Sequence, residues 1–495
     1  MNTKLEALAA GHVIRGDRDV EITSITEDSR DVERGSLFVA IAGTTDDGHR
    51  YVTDAVSRGA AAVAVERAEM APASVSAIVV PSARKALADF ARRFYGDPGA
   101  SLDIVGFTGT FGKTTTSHVL QQLLNAAGRR TAVVGSLGAR FDGASYELRG
   151  MTTPSPVLLH RALRRLKDAG ATTIVMEVTS HALMQDRVHG LAFTGGMLAA
   201  IRPGEHIDFH RNFDDYVMAK RRILDHLTAG SLLAYDADNR AAATIAHTRN
   251  DVRHAGFSLR RTPIDGTAAT ERRHANVEDR RILSFADALL DDKGALITLK
   301  GMTLRSALLG RANLRNVALA LTFARQFGLR VEAARDALAA LTPLRRRMER
   351  YTIAVRTVLD DTAGHPESFD ATFEVADLLP AERIVVAYAL RGSRGPDINR
   401  RNALSLAEHV QAIDAHRLIV TEAADTSGPL DRVRNDERDA ARSAFRERGV
   451  DPIWHETMAA AMEDAAAHSR PGDLIVLIGA QGMNAGRQEL EKALA

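Results

Sequence analysis

Short runs of β-branched and apolar residues alternate with segments of helical periodicity along most of the chain. The runs 36–41 (SLFVAI), 60–66 (AAAVAVE) and 75–80 (VSAIVV) read as strands, and the pattern predicts α/β domains with largely parallel sheets. A stretch rich in Gly, Pro and Asp at 95–103 marks a first expected boundary. The run DIVGFTG then opens a second block, in which Val157, Leu158, Ala162, Leu163 and Leu166 recur at helical spacing and Gly170 supplies a stop. The run 172–180 (TTIVMEVTS) reads as a buried strand with Glu177 near its carboxyl end, where open α/β sheets bind ligands. Residues 247–300 are polar and arginine-rich and give no clear periodicity. A third block begins near 341–351, with strands expected at 383–390, 416–423 and 473–482. The expectation is three α/β domains in series over 1–98, 99–342 and 343–495, without internal repeats.

Composition narrows the function classes. A chain of 495 residues is too long for a single hydrophobic core. Lys and Arg exceed Asp and Glu by 64 − 63 = +1, which gives no reason to invoke a nucleic-acid partner, and clusters such as 344–351 (LRRRMERY) are local features. The absence of cysteine excludes a thiolate metal site, a disulfide framework and a cysteine nucleophile. The first residues lack the apolar core of a signal peptide and no apolar run approaches the ~18 residues of a membrane span, so a soluble, cytoplasmic chain with no membrane partner is expected.

The chemistry is most legible at 105–120, VGFTGTFGKTTTSHVL. Strand end, glycine-rich loop and helix start together form a phosphate cradle, because converging backbone N–H groups and the helix dipole favour an anion. Lys113 is placed to reach β- and γ-phosphates, and the Thr114 hydroxyl to ligate Mg²⁺. The strict G-x-x-x-x-G-K-[ST] pattern fails at Phe107, and a bulky Phe111 sits inside the loop. A second cluster comprises Glu177, a hard oxygen donor suited to Mg²⁺, His206 and His210 four residues apart, and Lys220 on the helix expected to follow.

These motifs resemble the Mur ligase family, most closely its MurE branch, over nearly the whole chain, and the departures described below suggest a divergent paralogue. Residues 25–51 are similar to the branch's uridine-nucleotide domain, with Asp28-Ser29-Arg30 and the turn from Gly43 to Asp46. The family's TGTNGKTT loop stands as TGTFGKTT, its TTP element as Thr152-Thr153-Pro154, and its EVSSHAL…R element as EVTSHALMQDR. Its N-x-x-N element occurs as Asn313 and Asn316, and its GRMER as RRMER. The resemblance implies a uridine-nucleotide-binding domain, a central P-loop ATPase domain and a Rossmann-like third domain. It further implies an ADP-forming ligase that activates a carboxylate as an acyl phosphate for attack by an amine, a task of positioning and charge neutralisation.

The implied ATP contacts are Gly109, Thr110, Gly112, Lys113, Thr114, Thr115, Asn313, Asn316 and Arg347. The implied substrate contacts are Ser29, Thr44, Thr45, Asp46, Thr152, Thr153, Thr179, Gln185, Arg187 and Arg400. Thr114 and Glu177 are assigned to one Mg²⁺, His206 and a carbamate formed from CO₂ on Lys220 to a second, and Asp361 to the catalytic set. The substrates are expected to be small molecules, a nucleotide-linked carboxylate and an amino acid or amine, handled by a monomer or weak homodimer.

The resemblance is poorest in the third domain. Asp361, His365 and Pro366 carry over, but Thr362 replaces the usual aromatic. The DNPR motif is missing near 421–430, and GKGHE has become AQGMN, with Gln481 for the lysine and Asn484 for the glutamate. Losing a charge that pairs with a ligand's charge costs about 2–5 kcal/mol. Diaminopimelate is therefore not the expected amine, and Arg391, Arg394 and Arg400 remain candidates for anion contacts. Ile201 stands where the family often has asparagine. Alternatives to an amide ligase with a changed amine are a regulatory protein that has lost turnover, and a ligase of a specialised pathway with a different carboxylate.

Overall fold

The computed structural model describes residues 2–43, 46–148, 150–203, 209–260 and 281–495. They fall into two compact units, Met1–Ala286 with Asn316–Ala334, and Asp287–Arg315 with Arg335–Ala495.

The first unit holds two main sheets. In the five-stranded sheet, β1 (Val13–Arg15), β2 (Ser24–Thr26), β3 (Ser36–Val39), β4 (Ala62–Val65) and β5 (Ser76–Val79) are arranged β1-β5-β4-β3-β2. All neighbours are parallel except β1 with β5. The nine-stranded sheet contains β6 (Asp103–Thr108), β7 (Thr131–Gly135), β8 (Gly138–Phe141), β9 (Ala144–Tyr146), β10 (Thr173–Glu177), β11 (Phe193–Leu198), β12 (Leu227–Asp236), β13 (Arg253–Ser258) and β14 (Arg281–Ser284). Its order is β9-β8-β7-β10-β6-β11-β12-β13-β14, parallel from β7 to β14.

The central strands β6 and β10 are almost wholly buried, which explains why they read as near-continuous apolar runs rather than alternating ones. Helix α1 (Ala83–Phe94) covers the first sheet. The P-loop helix α2 (Lys113–Ala126) follows β6, and α3 (Pro156–Asp168) precedes β10. Pro156 starts α3 at a position that needs no N–H donor, and Gly170 ends it at φ +93°.

The turn expected as a domain boundary is a 3₁₀ segment, Pro98–Ser101, with both flanks in one compact unit. The reason is packing between α1 and α3, for Val157 of α3 lies in the same apolar cluster as Phe90 and Phe94 of α1. The stretch 247–300, which lacked a clear period, contributes β13 and β14 to the large sheet and then enters the second unit.

The second unit contains a three-stranded antiparallel sheet, β15 (Leu289–Asp291), β16 (Gly294–Leu299) and β17 (Met302–Ser306). Its six-stranded sheet comprises β18 (Glu349–Ile353), β19 (Arg356–Asp361), β20 (Ile384–Ala389), β21 (Arg417–Thr421), β22 (Ile453–His455) and β23 (Leu474–Ile478). The order β18-β19-β23-β20-β21-β22 is parallel except for the β18–β19 hairpin. Among the described residues no helix is long and apolar enough to cross a membrane.

Candidate active site

The loop from Gly109 to Gly112 leaves the carboxyl end of β6 and enters α2 at Lys113. Gly112 has φ +79°, and a Cβ there would lie 2.1 Å from Oδ1 of Asn316, so both conformation and space require glycine. Asn316 lies on α4 (Gly310–Gln326), and its Oδ1 accepts from the Thr116 hydroxyl at 3.1 Å, which braces the first turn of α2. On the loop's other side, Thr110 N–H donates to the Ala200 carbonyl (2.9 Å), and Thr110 Oγ1 accepts from Arg202 N–H (2.9 Å). Phe111 is half-buried, so its bulk takes up space beside the loop without replacing any of these contacts.

Two lysines converge on the loop. Lys113 Nζ donates to the carbonyls of Gly109 (2.9 Å) and Thr110 (3.0 Å). Lys220, from the helix Phe213–Arg221, is 1% exposed, and its Nζ donates to Gly109 O at 2.8 Å while lying 4.5 Å from the centre of the Tyr216 ring. Tyr216 in turn donates to Thr110 Oγ1 at 3.3 Å.

Glu177 ends β10 and is fully buried. Its Oε2 accepts from Thr114 Oγ1 (3.0 Å) and Ser136 Oγ (3.3 Å), and its Oε1 from Ser136 N–H (3.1 Å). A Cβ on Gly135 would lie 2.0 Å from Oε1, so the end of β7 must be bare for this carboxylate to occupy its place. The network continues outward. Ser136 Oγ lies 2.9 Å from Thr152 Oγ1, and Thr153 Oγ1 donates to the Glu177 carbonyl at 2.9 Å. Thr179 N–H donates to Thr153 Oγ1 (3.0 Å), while the Thr179 hydroxyl caps the short helix Ser180–Met184. Arg187 donates to Thr153 O (2.7 Å) and to Gln185 Oε1 (2.7 Å). His210 is buried against Ser180, with Nε2 to Oγ 2.9 Å.

Thr114, Glu177, Thr152, Thr153, Thr179, Gln185 and Arg187, expected from separate motifs, thus form one hydrogen-bonded system. Thr115 is buried in the first turn of α2. His206, Thr44 and Thr45 lie outside the described residues. The apposed Thr114 hydroxyl and Glu177 carboxylate suit Mg²⁺, which takes one or two carboxylates and completes its shell with water and phosphate oxygens. No cluster of three or more His, Cys, Asp or Glu side chains suited to a metal occurs among the described residues.

Ser136, Gly135, Tyr216 and Asn239 were not singled out from the sequence. Asn239 exchanges two hydrogen bonds of 3.1 Å with the backbone of Ile201, so an amide arriving from elsewhere in the chain holds the segment at this apolar position.

Ser29 and Asp46 line a cavity of about 980 Å³ together with Phe38, Tyr51, Tyr95 and Arg161. The Tyr51 hydroxyl donates to Asp46 and holds its carboxyl below the usual carboxylate range.

In the second unit, Asp361 is buried at the end of β19, where it accepts from Thr372 Oγ1 (2.7 Å) and Met348 N–H (3.1 Å), while burial pushes its pKa up. Arg347 donates to Thr362 Oγ1 at 2.7 Å, so the residue replacing the aromatic serves as an acceptor. Arg346, its neighbour, is 5% exposed and bonds Asp360 Oδ1 (3.0 Å), Ala480 O (2.8 Å) and Asn484 Oδ1 (2.6 Å), as well as the carbonyls of Asp361 and Gly479. Asn313 donates to Leu309 O at 3.0 Å. Arg400 pairs with Glu447 (2.6 Å) and Arg391 with Asp431 (3.2 Å).

Family models match the chain in three consecutive pieces: a Mur ligase family catalytic domain over 21–95, a Mur ligase middle domain over 107–324 and a Mur ligase glutamate ligase domain over 346–481. The chain is 31% identical over 469 residues to a UDP-N-acetylmuramoyl-L-alanyl-D-glutamate–2,6-diaminopimelate ligase of Chlorobium phaeobacteroides, covering 92% of this chain and 87% of that protein. Against the ligase of the same name from Pseudomonas syringae pv. tomato it is 32% identical, covering 94% and 91%. Among solved structures, a ligase of that name superposes with a TM-score of 0.67 at 20% identity over 100% of this chain and 99% of that one. A MurF ligase from Thermotoga maritima in complex with ADP superposes at 0.63 and 19% identity over 95% and 97%. Three consecutive domain matches and relatives aligned over nearly the full length agree with the P-loop and carboxylate geometry, and the chain belongs to the Mur ligase family of ATP-dependent, ADP-forming amide-bond ligases.

Proposed function

We propose that the protein joins the carboxylate of a nucleotide-linked substrate, UDP-MurNAc-L-Ala-D-Glu or a close relative, to an amino acid or amine other than diaminopimelate. ATP is consumed to ADP and phosphate in the cytoplasm. The observation that carries this reading is the Thr114–Glu177 oxygen pair at the end of a P-loop whose lysine lies beside the loop carbonyls.

A carboxylate oxygen is a poor leaving group, so it is activated by phosphoryl transfer from ATP before the amine attacks. Loop N–H groups and Lys113 hold the β- and γ-phosphates. Thr114 and Glu177 would hold Mg²⁺, which would supply charge neutralisation on the phosphate oxygens. Ser136 N–H and Oγ keep Glu177 oriented. Asn316 fixes the loop through Thr116. A carbamate formed from CO₂ on Lys220 would, together with His206, supply ligands for a second Mg²⁺. The cavity lined by Ser29 and Asp46 takes the nucleotide portion of the substrate.

The relatives named above are diaminopimelate ligases, whereas here the segment after β23 carries the neutral amides Gln481 and Asn484. Asp361, Arg347 and Arg400 complete the amine and nucleotide contacts of the second unit.

ADP release assayed with UDP-MurNAc-L-Ala-D-Glu, Mg²⁺ and a panel of amino acids tests the reading. Amine-dependent release with at least one of them is expected, and no release with any of them overturns it. For the carbamate, Lys220→Ala is expected to be inactive and to regain activity with acetate; full activity without acetate rules the carbamate out.

A further inference from the structure

We infer that Arg346 and Asn484 make this enzyme selective for an amino acid whose side chain carries a hydrogen-bond acceptor and no positive charge, an inference that rests on the ligase reading above. The parallel strands β19 and β23 lie side by side, with Asp361 in register with Ile478. Their carboxyl ends form the kind of crevice in which α/β sheets bind ligands.

The guanidinium of Arg346 sits at these strand ends. Nε bonds Asp360, Nη1 bonds Ala480 O and Asn484 Oδ1, and Nη2 bonds the carbonyls of Asp361 and Gly479. A guanidinium has five N–H donors, and these partners use all of them. The strand-end carbonyls that would otherwise face an incoming ammonium are therefore already committed to an internal cation.

Neither segment offers a replacement. Residues 361–365 and 479–485 contain one acid, Asp361, and it is buried and bonded to Thr372 and Met348. The exposed groups are the amides of Gln481 and Asn484, and the exposed Arg345 reaches the Asn484 carbonyl at 3.5 Å.

The bond from Arg346 also fixes the sense of the Asn484 amide. A guanidinium can only donate, so Oδ1 must face it, and the amide's NH₂ is left to donate outward. A side-chain carboxylate, amide or hydroxyl complements that donor, whereas an ammonium meets a second donor beside a guanidinium.

The test compares kcat/KM for glutamate, glutamine and serine with lysine and diaminopimelate, in the full-length enzyme with ATP, Mg²⁺ and the UDP-linked dipeptide. The best non-cationic amino acid should exceed lysine and diaminopimelate by at least about 30-fold, the ratio set by one mismatched charge contact. Asn484→Asp keeps an acceptor for Arg346 but removes the outward donor, and should cut that ratio at least ~10-fold with unchanged ATP affinity. Asn484→Leu serves as the uncharged control and should do the same. Lysine or diaminopimelate used as well as the best of the others overturns the inference and leaves the ligase reading standing, as does an unchanged ratio in both variants. ADP release with no amine at all overturns the ligase reading and this inference with it.

Discussion

Glu177 illustrates how much of this site is decided by single atoms. Its carboxylate is fully buried and satisfied by one backbone N–H and two hydroxyls, and it fits only because Gly135 lacks a Cβ. Gly135→Ala would place a methyl 2.0 Å from Oε1 and push the carboxylate from Thr114. Displacement of a catalytic group by ~1 Å costs on the order of 10²-fold in rate, and overpacking costs ~1–3 kcal/mol. We expect kcat/KM for ATP to fall ~100-fold with a stability loss in that range, read by coupled ADP release and urea unfolding. Glu177→Gln keeps the shape and should raise the Mg²⁺ requirement at least ~10-fold; an unaltered Mg²⁺ titration would argue against a metal role for Glu177. The lysine, threonine and glutamate were legible in the sequence because each stands at a marked place, a glycine-rich loop or the end of an apolar strand. Ser136 was not, since a backbone N–H and one hydroxyl leave no signature.

Helix α3 was legible over most of its length, because the period of Val157, Leu158, Ala162, Leu163 and Leu166 matches its buried face. The pattern does not reveal that His160 lies on that face, fully buried, with neither ring nitrogen hydrogen-bonded. Burial pulls its pKa down from 6.5 to about 4, with the nearby charges of Asp97, Arg92 and Asp89 contributing less. The folded protein therefore holds this ring neutral where the unfolded chain protonates it. Stability from this group is present above pH 6.5 and is lost as pH falls towards 4, by up to about 3 kcal/mol. His160→Leu removes the titration. The difference in unfolding free energy between variant and wild type should grow between pH 6.5 and 4, and a constant difference would contradict the assignment. At 95–103 local composition marks a turn, and the pattern does not reveal that α1 and α3 pack into one apolar cluster across it.

The two compact units divide the chemistry, with the P-loop and Glu177 in one and Asp361, Arg346 and Arg347 in the other. The largely parallel sheets were predictable, since buried parallel strands announce themselves as apolar runs, whereas such runs carry no record of strand order. The membership of 287–315 in the second unit was not, because it depends on a small antiparallel sheet with weak alternation. Nucleotide binding should register in the stability of the whole chain. A non-hydrolysable ATP analogue with Mg²⁺ at a hundredfold its Kd should stabilise the protein by ~2.7 kcal/mol. Lys113→Ala should abolish most of that gain in a urea titration; an equal gain in the variant would remove the lysine from the phosphate site.

The guanidinium of Arg346 also bears on how this lineage can change. Replacing it alone strands the buried Asp360 and uncaps four further acceptors, and breaking a buried pair typically costs ~3–5 kcal/mol. Introducing a carboxylate at position 484 alone removes the outward donor but gives the arginine another counter-ion, so the buried cation stays in place. On the proposed reading, a change at 484 alone weakens the discrimination against cationic amines, whereas removing the buried cation as well requires both positions to change together. Libraries randomised at 346 and 484 and selected for lysine incorporation should yield paired solutions. The proposed amine preference is in this sense locked by the hydrogen bonds of one side chain.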